Sequence, residues 1–506
     1  MTGATVIATR RLGRGHRPAG GTGVPWAVIV LAAALALGGC ADMSRFEVAS
    51  PPAATAPAKP VKPASAQLSA TEREHQRILA SYGGVYEDAR LEALIGSAVG
   101  RLVAASDRPE TQYKVTILNS GAVNAFALPT GQLYVTRGLL ALANDTSELS
   151  SVLAHEMAHV LARHASIREE RARQAAVVTR VVADMGTDPD LTALALAKTK
   201  LTMASFSRGQ EFEADGIGVG LAAKAGFDPY GAARFLTAMG RNADLKASQA
   251  GIDPRSQDFL SSHPATPERI QNAQAVARQF AGPDAEGRER DAYLAAIDKL
   301  VYGEDPSEGF VRGRRFLHPK LGFTFQAPQG YTLDNTAQAV IGVRSGGQQA
   351  MRFDVVRVPA DQPLTDYLAS GWMEKVDPAS AEALTINGFP AATAVAHGEQ
   401  WQFRVFALRF GSDVYRFIFA SRRKGGENDR DFRDTVNTFR RLSLAEIDAT
   451  HPLRIHVVTV RPGDTVESLA QRMAGLDRPV ERFRTLNGLG ARDTVKPGAR
   501  VKIVAE

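Results

Sequence analysis

The sequence predicts a multidomain α+β protein. It reads as a mainly helical domain over residues 70–300, an α/β sheet module over 313–445, and a β-α-α-β unit over 455–506. Three observations predict this. Between 70 and 300, apolar residues recur at helical spacing, interrupted by two short β-branched runs. Beyond 313 the apolar runs become short and alternating, as strands do. At the end a strand, a turn, two amphipathic segments and a last strand follow in close order. A length of 506 residues fits three domains at roughly 150 residues each. With 44% hydrophobic and 23% charged residues, the chain is neither wholly disordered nor a polytopic membrane protein. Cys40 is the one cysteine, so no disulfide can form within the chain.

Residues 1–39 read as a signal. Arg10, Arg11, Arg14 and Arg17 precede an apolar run from Val24 to Leu37. That run falls short of the ~18–20 residues a spanning helix needs. Leu37-Gly38-Gly39-Cys40 resembles a bacterial lipobox, which implies acylation of Cys40 and a mature chain that begins there. Ala41, rather than Asp, follows the cysteine, and by that resemblance the destination is the outer membrane, facing the periplasm. Loss of four arginines with the signal takes the formal charge from +6 to +2. The basic balance therefore belongs largely to the signal and predicts no nucleic-acid partner. Residues 40–69 predict an extended tether, whose Ala- and Pro-rich stretch 41–68 spans up to roughly 85 Å at ~3.1 Å per residue.

The helical domain opens with apolar periodicity over Ser69 to Ala80 and Asp88 to Ala105. Strands are expected at Tyr113 to Leu118 and Gln132 to Thr136. The next helix is signalled by Asp145 as its cap, with Glu148 as capping-box partner. Leu149, Val152, Leu153, Met157 and Val160 form its apolar stripe, which predicts a buried helix.

This helix carries His155-Glu156-Met-Ala-His159, an H-E-x-x-H sequence. At about 100° per residue, the two histidines lie about 40° apart around the axis and one turn apart along it. Both imidazoles can reach one ion. Glu156, beside His155, can approach a water at that ion and take its proton. Two histidines leave the site a ligand short. Ala165 occupies the position where a metzincin would supply a third histidine. His164, about 180° around an extended helix from His155, reads as a packing or surface residue. A remote helix, Ser207 to Asp215, offers the missing ligand: Glu211 and Asp215 stand at i and i+4 on one face, with Glu213 facing largely away. Glu211 can bind the ion while Asp215 accepts a hydrogen bond from a ligand imidazole and fixes its tautomer.

H-E-x-x-H followed by E-x-x-x-D resembles the gluzincin zinc metallopeptidases of the HtpX, BepA and CAAX prenyl-protease type. Further segments between about 70 and 280 agree in order. Tyr82-Gly-Gly-Val-Tyr-Glu-Asp88 is similar to the family's early segment. Val123 to Gly131 is similar to its N-A-F-A-x-P-G-G sequence, with Thr130 in place of the first Gly of the final pair. Ser261-Ser262-His263-Pro264 with Arg269 is similar to its H-P-x-x-x-x-R sequence. The spans of the membrane-embedded branches are missing, and the soluble periplasmic branch is the nearer likeness.

The resemblance implies a zincin-type fold and one Zn²⁺ per chain, bound by His155, His159 and Glu211. It implies Glu156 as general base and acid. Asn124, Ala125, Phe126, Ala127 and Leu128 would form an edge strand on which an extended peptide adds by backbone pairing. His263 would lie beside the metal, either stabilising the oxyanion or binding the ion at rest and blocking the water. Arg269 would hold that loop or pair with an acid of the site. Ala175 to Phe206 would form either a lid or plain core helices.

In 313–445, strands are expected at Leu321 to Gln326, Ala339 to Val343, Met351 to Val358, Gln402 to Phe410 and Val414 to Ala420. Helices are expected at Leu364 to Val376 and Asp429 to Arg441. No ligand cluster is visible there. The last unit, with Pro462-Gly463-Asp464-Thr465, Leu486-Asn487-Gly488 and Lys496-Pro497-Gly498 in order, resembles a LysM domain. That resemblance implies binding to peptidoglycan.

Together these features predict a lipid-anchored zinc endopeptidase of the bacterial envelope that cleaves misfolded or misassembled envelope proteins. Two alternatives stand beside it: an assembly chaperone or scaffold with latent proteolysis, and a peptidoglycan-directed metallohydrolase.

Overall fold

The computed structural model describes residues 69–170, 206–247, 263–280, 289–344, 347–373, 375–398, 400–422, 429–473 and 476–506. The expected signal, Cys40, the expected tether except Ser69 and all of the expected lid except Phe206 lie outside the described residues. Among the described residues, no helix is long and apolar enough to cross a membrane.

Helices α1 (Ala70–Ser81) and α2 (Ala89–Ala105) lead into a three-stranded sheet of β1 (Lys114–Leu118), β2 (Ala125–Ala127) and β3 (Gln132–Thr136). Its order is β1-β3-β2, with β3 parallel to β1 and antiparallel to β2. This leaves β2 at an edge. The short helix α3 (Arg137–Leu142) then runs into α4 (Thr146–Leu161), the helix that carries H-E-x-x-H. Beyond it lie α5 (Arg208–Lys224), α6 (Gly231–Ala247), α7 (Pro267–Phe280) and α8 (Arg290–Ile297).

Every residue of α4 from Thr146 to His159 is buried. Its start is fixed by charge. The Asp145 carboxylate accepts from Glu148 N at 2.8 Å. The Glu148 carboxylate does not return to the cap residue, as a capping box requires, but accepts from Asn144 N at 2.9 Å. The reason is Arg234 of α6, which bridges Asp145 at 3.0 Å, Glu148 at 3.3 Å and Asp228 at 2.6 Å. The cap thus also fastens α4 to α6.

The following region is built from antiparallel strands with few helices. Strands β4 (Phe310–Arg312), β5 (Arg315–His318) and β6 (Phe323–Gln326) form one small sheet with β14 (Arg440–Arg441). Between them in sequence come β7 (Tyr331–Asn335), β8 (Val340–Arg344), β9 (Gln349–Val356), helix α9 (Leu364–Leu368), β10 (Val376–Ile386), β11 (Phe389–His397), β12 (Gln402–Phe410), β13 (Asp413–Ser421) and helix α10 (Asp429–Asn437). The seven long strands order as β10-β11-β12-β13-β9-β8-β7. Gly411, at φ +65°, makes the tight turn from β12 to β13. Side chains alternate between two cores. Phe406, Leu408 and Phe410 face the small sheet's Phe316, Phe323 and Phe325, whereas Val405 and Ala407 face Leu364 and Leu368 of α9. The helix expected over Leu364 to Val376 is therefore shorter, and Val376 starts a strand.

The terminal unit comprises β15 (Arg454–Thr459), α11 (Val466–Ala470), α12 (Pro479–Leu486) and β16 (Arg500–Ala505). It is docked on the helical domain. One hydrophobic cluster contains Leu140, Leu153 and Met157 together with Ile455, Phe483, Leu486 and Ile503. Backbone pairing continues from β15 to residues 299–302, with Lys299 N donating to Ile455 O at 2.8 Å and Tyr302 N to Leu453 O at 2.7 Å. Lys502 of β16 is wholly buried, and its Nζ donates to the carbonyls of Ala141, Leu142 and Ala143 at 2.8, 3.1 and 2.7 Å. Those are the acceptors that the end of α3 leaves open, and burial lowers the Lys502 pKa well below its ordinary value.

Candidate metal centre

Helices α4 and α5 pack closely because Gly218 of α5 faces the backbone of His155. A Cβ there would stand 3.0 Å from His155 N and 3.1 Å from its Cα. This approach brings the acidic face of α5 against the histidine face of α4. Ser207 caps α5 through a capping box with Gln210 and so sets the helix register.

Four side chains converge at this contact: His155, His159, Glu211 and His263, all buried, with one ligand atom of each lying within 4.8 Å of the others. His155 Nε2 is 3.0 Å from His159 Nε2 and 3.2 Å from His263 Nδ1. Glu211 Oε1 is 3.0 Å from His263 Nδ1 and 3.5 Å from His159 Nε2. Glu211 Oε2 is 3.6 Å from His155 Nε2. Neighbouring ligands of a tetrahedral ion with bonds of ~2.0–2.1 Å lie roughly 3.3 Å apart. The spacings straddle that value. Burial holds the pKa values of His155 and His159 below the ordinary range and brings His263, with Arg269 adding to the effect, down to about 3. At neutral pH the rings are therefore uncharged and each can offer a ring nitrogen to a cation. The set fits a divalent metal ion.

The surroundings orient these groups. His155 Nδ1 lies 3.1 Å from Asp215 Oδ1. Arg269 grips Asp215 bidentately, from Nε at 2.8 Å and Nη2 at 2.7 Å, and its Nη1 reaches Glu211 Oε2 at 2.6 Å and Pro264 O at 3.0 Å. One guanidinium thus holds both acids of α5 and the loop that bears His263. Against the upward push of burial, hydrogen bonds from Arg269 and His155 bring Asp215 down to about 2. Burial raises Glu211.

Glu156 adjoins the cluster at the His263 ring. Its carboxylate accepts the backbone N–H of Ala127, and burial, with the nearby Glu211 charge, raises its pKa well above the ordinary range. Its Oε1 is buried without a hydrogen-bond partner among the described residues, 3.7 Å from His263 Nε2. Such an acceptor is suited to take a proton from a water or other donor entering the site.

Residues 124–128 border the centre. Leu128 N donates to Gln132 O and Thr136 N to Asn124 O, so these residues face β3. The N–H of Ala127 turns to the free edge and Glu156. Phe126 stacks on Tyr134 with centroids 4.9 Å apart, and Asn124 Nδ2 donates to Tyr82 Oη at 2.9 Å.

Two neighbours of the centre were not foreseen. His164 is 1% exposed, and its Nδ1 lies 2.9 Å from His159 Nδ1. Helical extrapolation fails here because α4 stops at Leu161 and Arg163, at φ +56°, interrupts the helix before helical backbone resumes at His164. Glu213, on the outer side of α5, reaches His164 Nε2 at 3.3 Å. Phe206 stacks on His159 with centroids 4.0 Å apart, beneath the Arg168 guanidinium. Its place, just before the Ser207 cap, was legible only as an apolar helix-entry residue.

Residues 89–277 match the profile of Peptidase family M48, and residues 458–504 that of the LysM domain. The chain carries both domains. It is 30% identical over 222 residues to the beta-barrel assembly-enhancing protease of Escherichia coli (strain K12), covering 42% of this chain and 44% of that protein. It is 29% identical over 215 residues to the putative beta-barrel assembly-enhancing protease of Vibrio cholerae, covering 41% and 43%. It is 30% identical over 177 residues to the mitochondrial metalloendopeptidase OMA1 of Schizosaccharomyces pombe, covering 35% and 50%. The chain thus spans half or less of the length of each of these relatives.

Proposed function

We propose that this chain, with its family M48 peptidase domain and its LysM domain, is a zinc-dependent endopeptidase of the bacterial envelope that cleaves misfolded or misassembled proteins. The observation that carries the reading is the convergence of His155, His159 and Glu211 on one point, with the Glu156 carboxylate against the adjoining His263 ring. A divalent ion held by these ligands supplies Lewis acidity and lowers the pKa of a water. The chain supplies the rest. Glu156 takes the water's proton and later gives it to the leaving amine. Arg269 and Asp215 keep the ligands aligned. An extended peptide adds to the outer edge of β2, where the outward-turned N–H of Ala127 exchanges the Glu156 carboxylate for a substrate carbonyl. Edge pairing demands extended backbone, which unfolded proteins offer and compact ones do not.

His263 completes a fourth ligand position, and the centre is buried. A site with four protein ligands has no open corner for water. In this arrangement the enzyme rests in a blocked form, and hydrolysis requires the His263 loop to withdraw. The same closure favours the second reading, a scaffold whose proteolysis is latent. Acylated Cys40 would tether the enzyme to the outer membrane, and the LysM unit would hold it to peptidoglycan. The first assignment rests on the lipobox resemblance and the second on the match of residues 458–504 to the LysM domain.

The test compares hydrolysis of an unfolded protein such as casein by the wild type and by Glu156→Gln. Losing a positioned general base lowers turnover by about 10²–10⁴-fold. Undiminished cleavage by Glu156→Gln overturns the mechanism, and full rescue of envelope assembly by that variant favours the scaffold.

A further inference from the structure

We propose that His164 and Glu213 form a hydrogen-bonded relay that fixes the tautomer and orientation of the metal-facing His159, as Asp215 does for His155. The inference rests on the metal-centre reading above. It adds two positioning residues outside both the H-E-x-x-H and the E-x-x-x-D patterns.

His159 turns Nε2 toward the convergence point, 3.0 Å from His155 Nε2 and 3.5 Å from Glu211 Oε1. A ring nitrogen that ligates a metal carries no proton, so the proton of neutral His159 sits on Nδ1. That nitrogen faces His164 Nδ1 at 2.9 Å. For the contact to be a hydrogen bond, His164 Nδ1 must accept, which puts the His164 proton on Nε2. Nε2 in turn faces Glu213 Oε2 at 3.3 Å, a carboxylate that can only accept when ionised. One assignment of protons satisfies every contact, all in the same direction: His159 to His164 to Glu213. The reverse assignment would leave a carboxylate facing a bare nitrogen and put the proton on the His159 atom needed for the metal.

The relay is built for rigidity at its inner end. His164 is 1% exposed, and its ring meets that of His159 edge-on at 72°. Phe206 stacks on the His159 face at 4.0 Å. Ring tilt is thus set by Phe206, and rotation about the ring is set by His164. The outer end is open, for the Glu213 side chain is 58% exposed. The left-handed backbone of Arg163 delivers His164 beneath the ring, where a continued α-helix would carry it away.

Partners of this kind are worth about 10–100-fold in metal affinity. The experiment measures Zn²⁺ affinity by chelator competition and the visible absorption of the Co²⁺ form, in the full chain, for wild type, His164→Ala, His164→Asn and Glu213→Ala. His164→Ala is expected to weaken Zn²⁺ binding by about 10–100-fold and to alter the Co²⁺ spectrum. His164→Asn, whose amide oxygen can stand where Nδ1 accepts, is expected to restore both. Glu213→Ala, at an exposed site without folding cost, is expected to weaken binding severalfold. A folded His164→Ala variant with wild-type affinity and spectrum overturns the proposal, as does a folded His164→Asn variant that restores neither. Should His164→Ala fail to fold, Glu213→Ala decides: wild-type affinity and spectrum overturn the relay. A wild-type chain that binds neither ion overturns the metal-centre reading itself.

Discussion

His263 is wholly buried beside the candidate ligands, and its burial has a measurable consequence. Its pKa falls from 6.5 to about 3 because the ring is buried, with Arg269 adding to the effect. In the unfolded chain the ring binds a proton below about pH 6.5, whereas in the folded chain it stays neutral. The unfolded state therefore binds more protons in that window, and stability is lost as pH falls from about 6.5 toward 3. In chelator-treated protein, His263→Ala is expected to show a shallower loss of stability across this window, measured by urea unfolding at successive pH values. Identical pH dependence in variant and wild type would contradict the buried placement. Much of this site was legible in the sequence, since helical geometry alone pairs His155 with His159 and Glu211 with Asp215. His164 and Phe206 were not. The first depends on a left-handed arginine, a conformation that non-glycine side chains adopt only uncommonly. The second depends on tertiary contact.

Among the elements, the α4–α5 pair sets the ligand geometry, and two glycines of α5 have opposite roles. Gly218 faces the His155 backbone at 3.0–3.1 Å, whereas a Cβ at Gly216 meets nothing within 4 Å. Gly218→Ala must push the helices apart and is expected to cost about 1–3 kcal/mol. It should also weaken metal binding, because the same separation sets the distance from Glu211 to His155. Gly216→Ala is expected to stabilise by up to about 1 kcal/mol, through lower backbone entropy in the unfolded chain. Denaturant unfolding with parallel metal titration checks both, and equal effects of the two substitutions would contradict the close approach. Strands of the 313–445 region were legible where bulky residues alternate, as in Gln402 to Phe410. Phe389–His397 was missed because its inward side chains are mostly alanines, which give the period-2 signal little amplitude.

At the scale of the whole molecule, the LysM unit shares a hydrophobic cluster with the peptidase helices instead of hanging from a linker. Sequence patterns identified the unit but could not reveal the docking, because Lys502 reads as an ordinary surface lysine on a terminal strand. Buried against three carbonyls of residues 141–143, it ties that strand to the turn that leads into α4. Lys502→Met keeps the aliphatic stem, removes the donors and is expected to cost about 1–3 kcal/mol. Calorimetry should show the peptidase and LysM domains melting in one transition that shifts down in the variant. A LysM transition separate from that of the peptidase in the wild type would contradict the shared core.

In the proposed enzyme, three side chains from two helices hold one catalytic metal ion. Metal content of the purified full-length chain, measured by mass spectrometry after gel filtration, tests this most directly. The wild type and Glu156→Gln should each retain close to one divalent ion per chain, and Glu211→Ala should retain little. A wild-type chain devoid of metal, or a Glu211→Ala variant that holds as much as the wild type, would contradict the account.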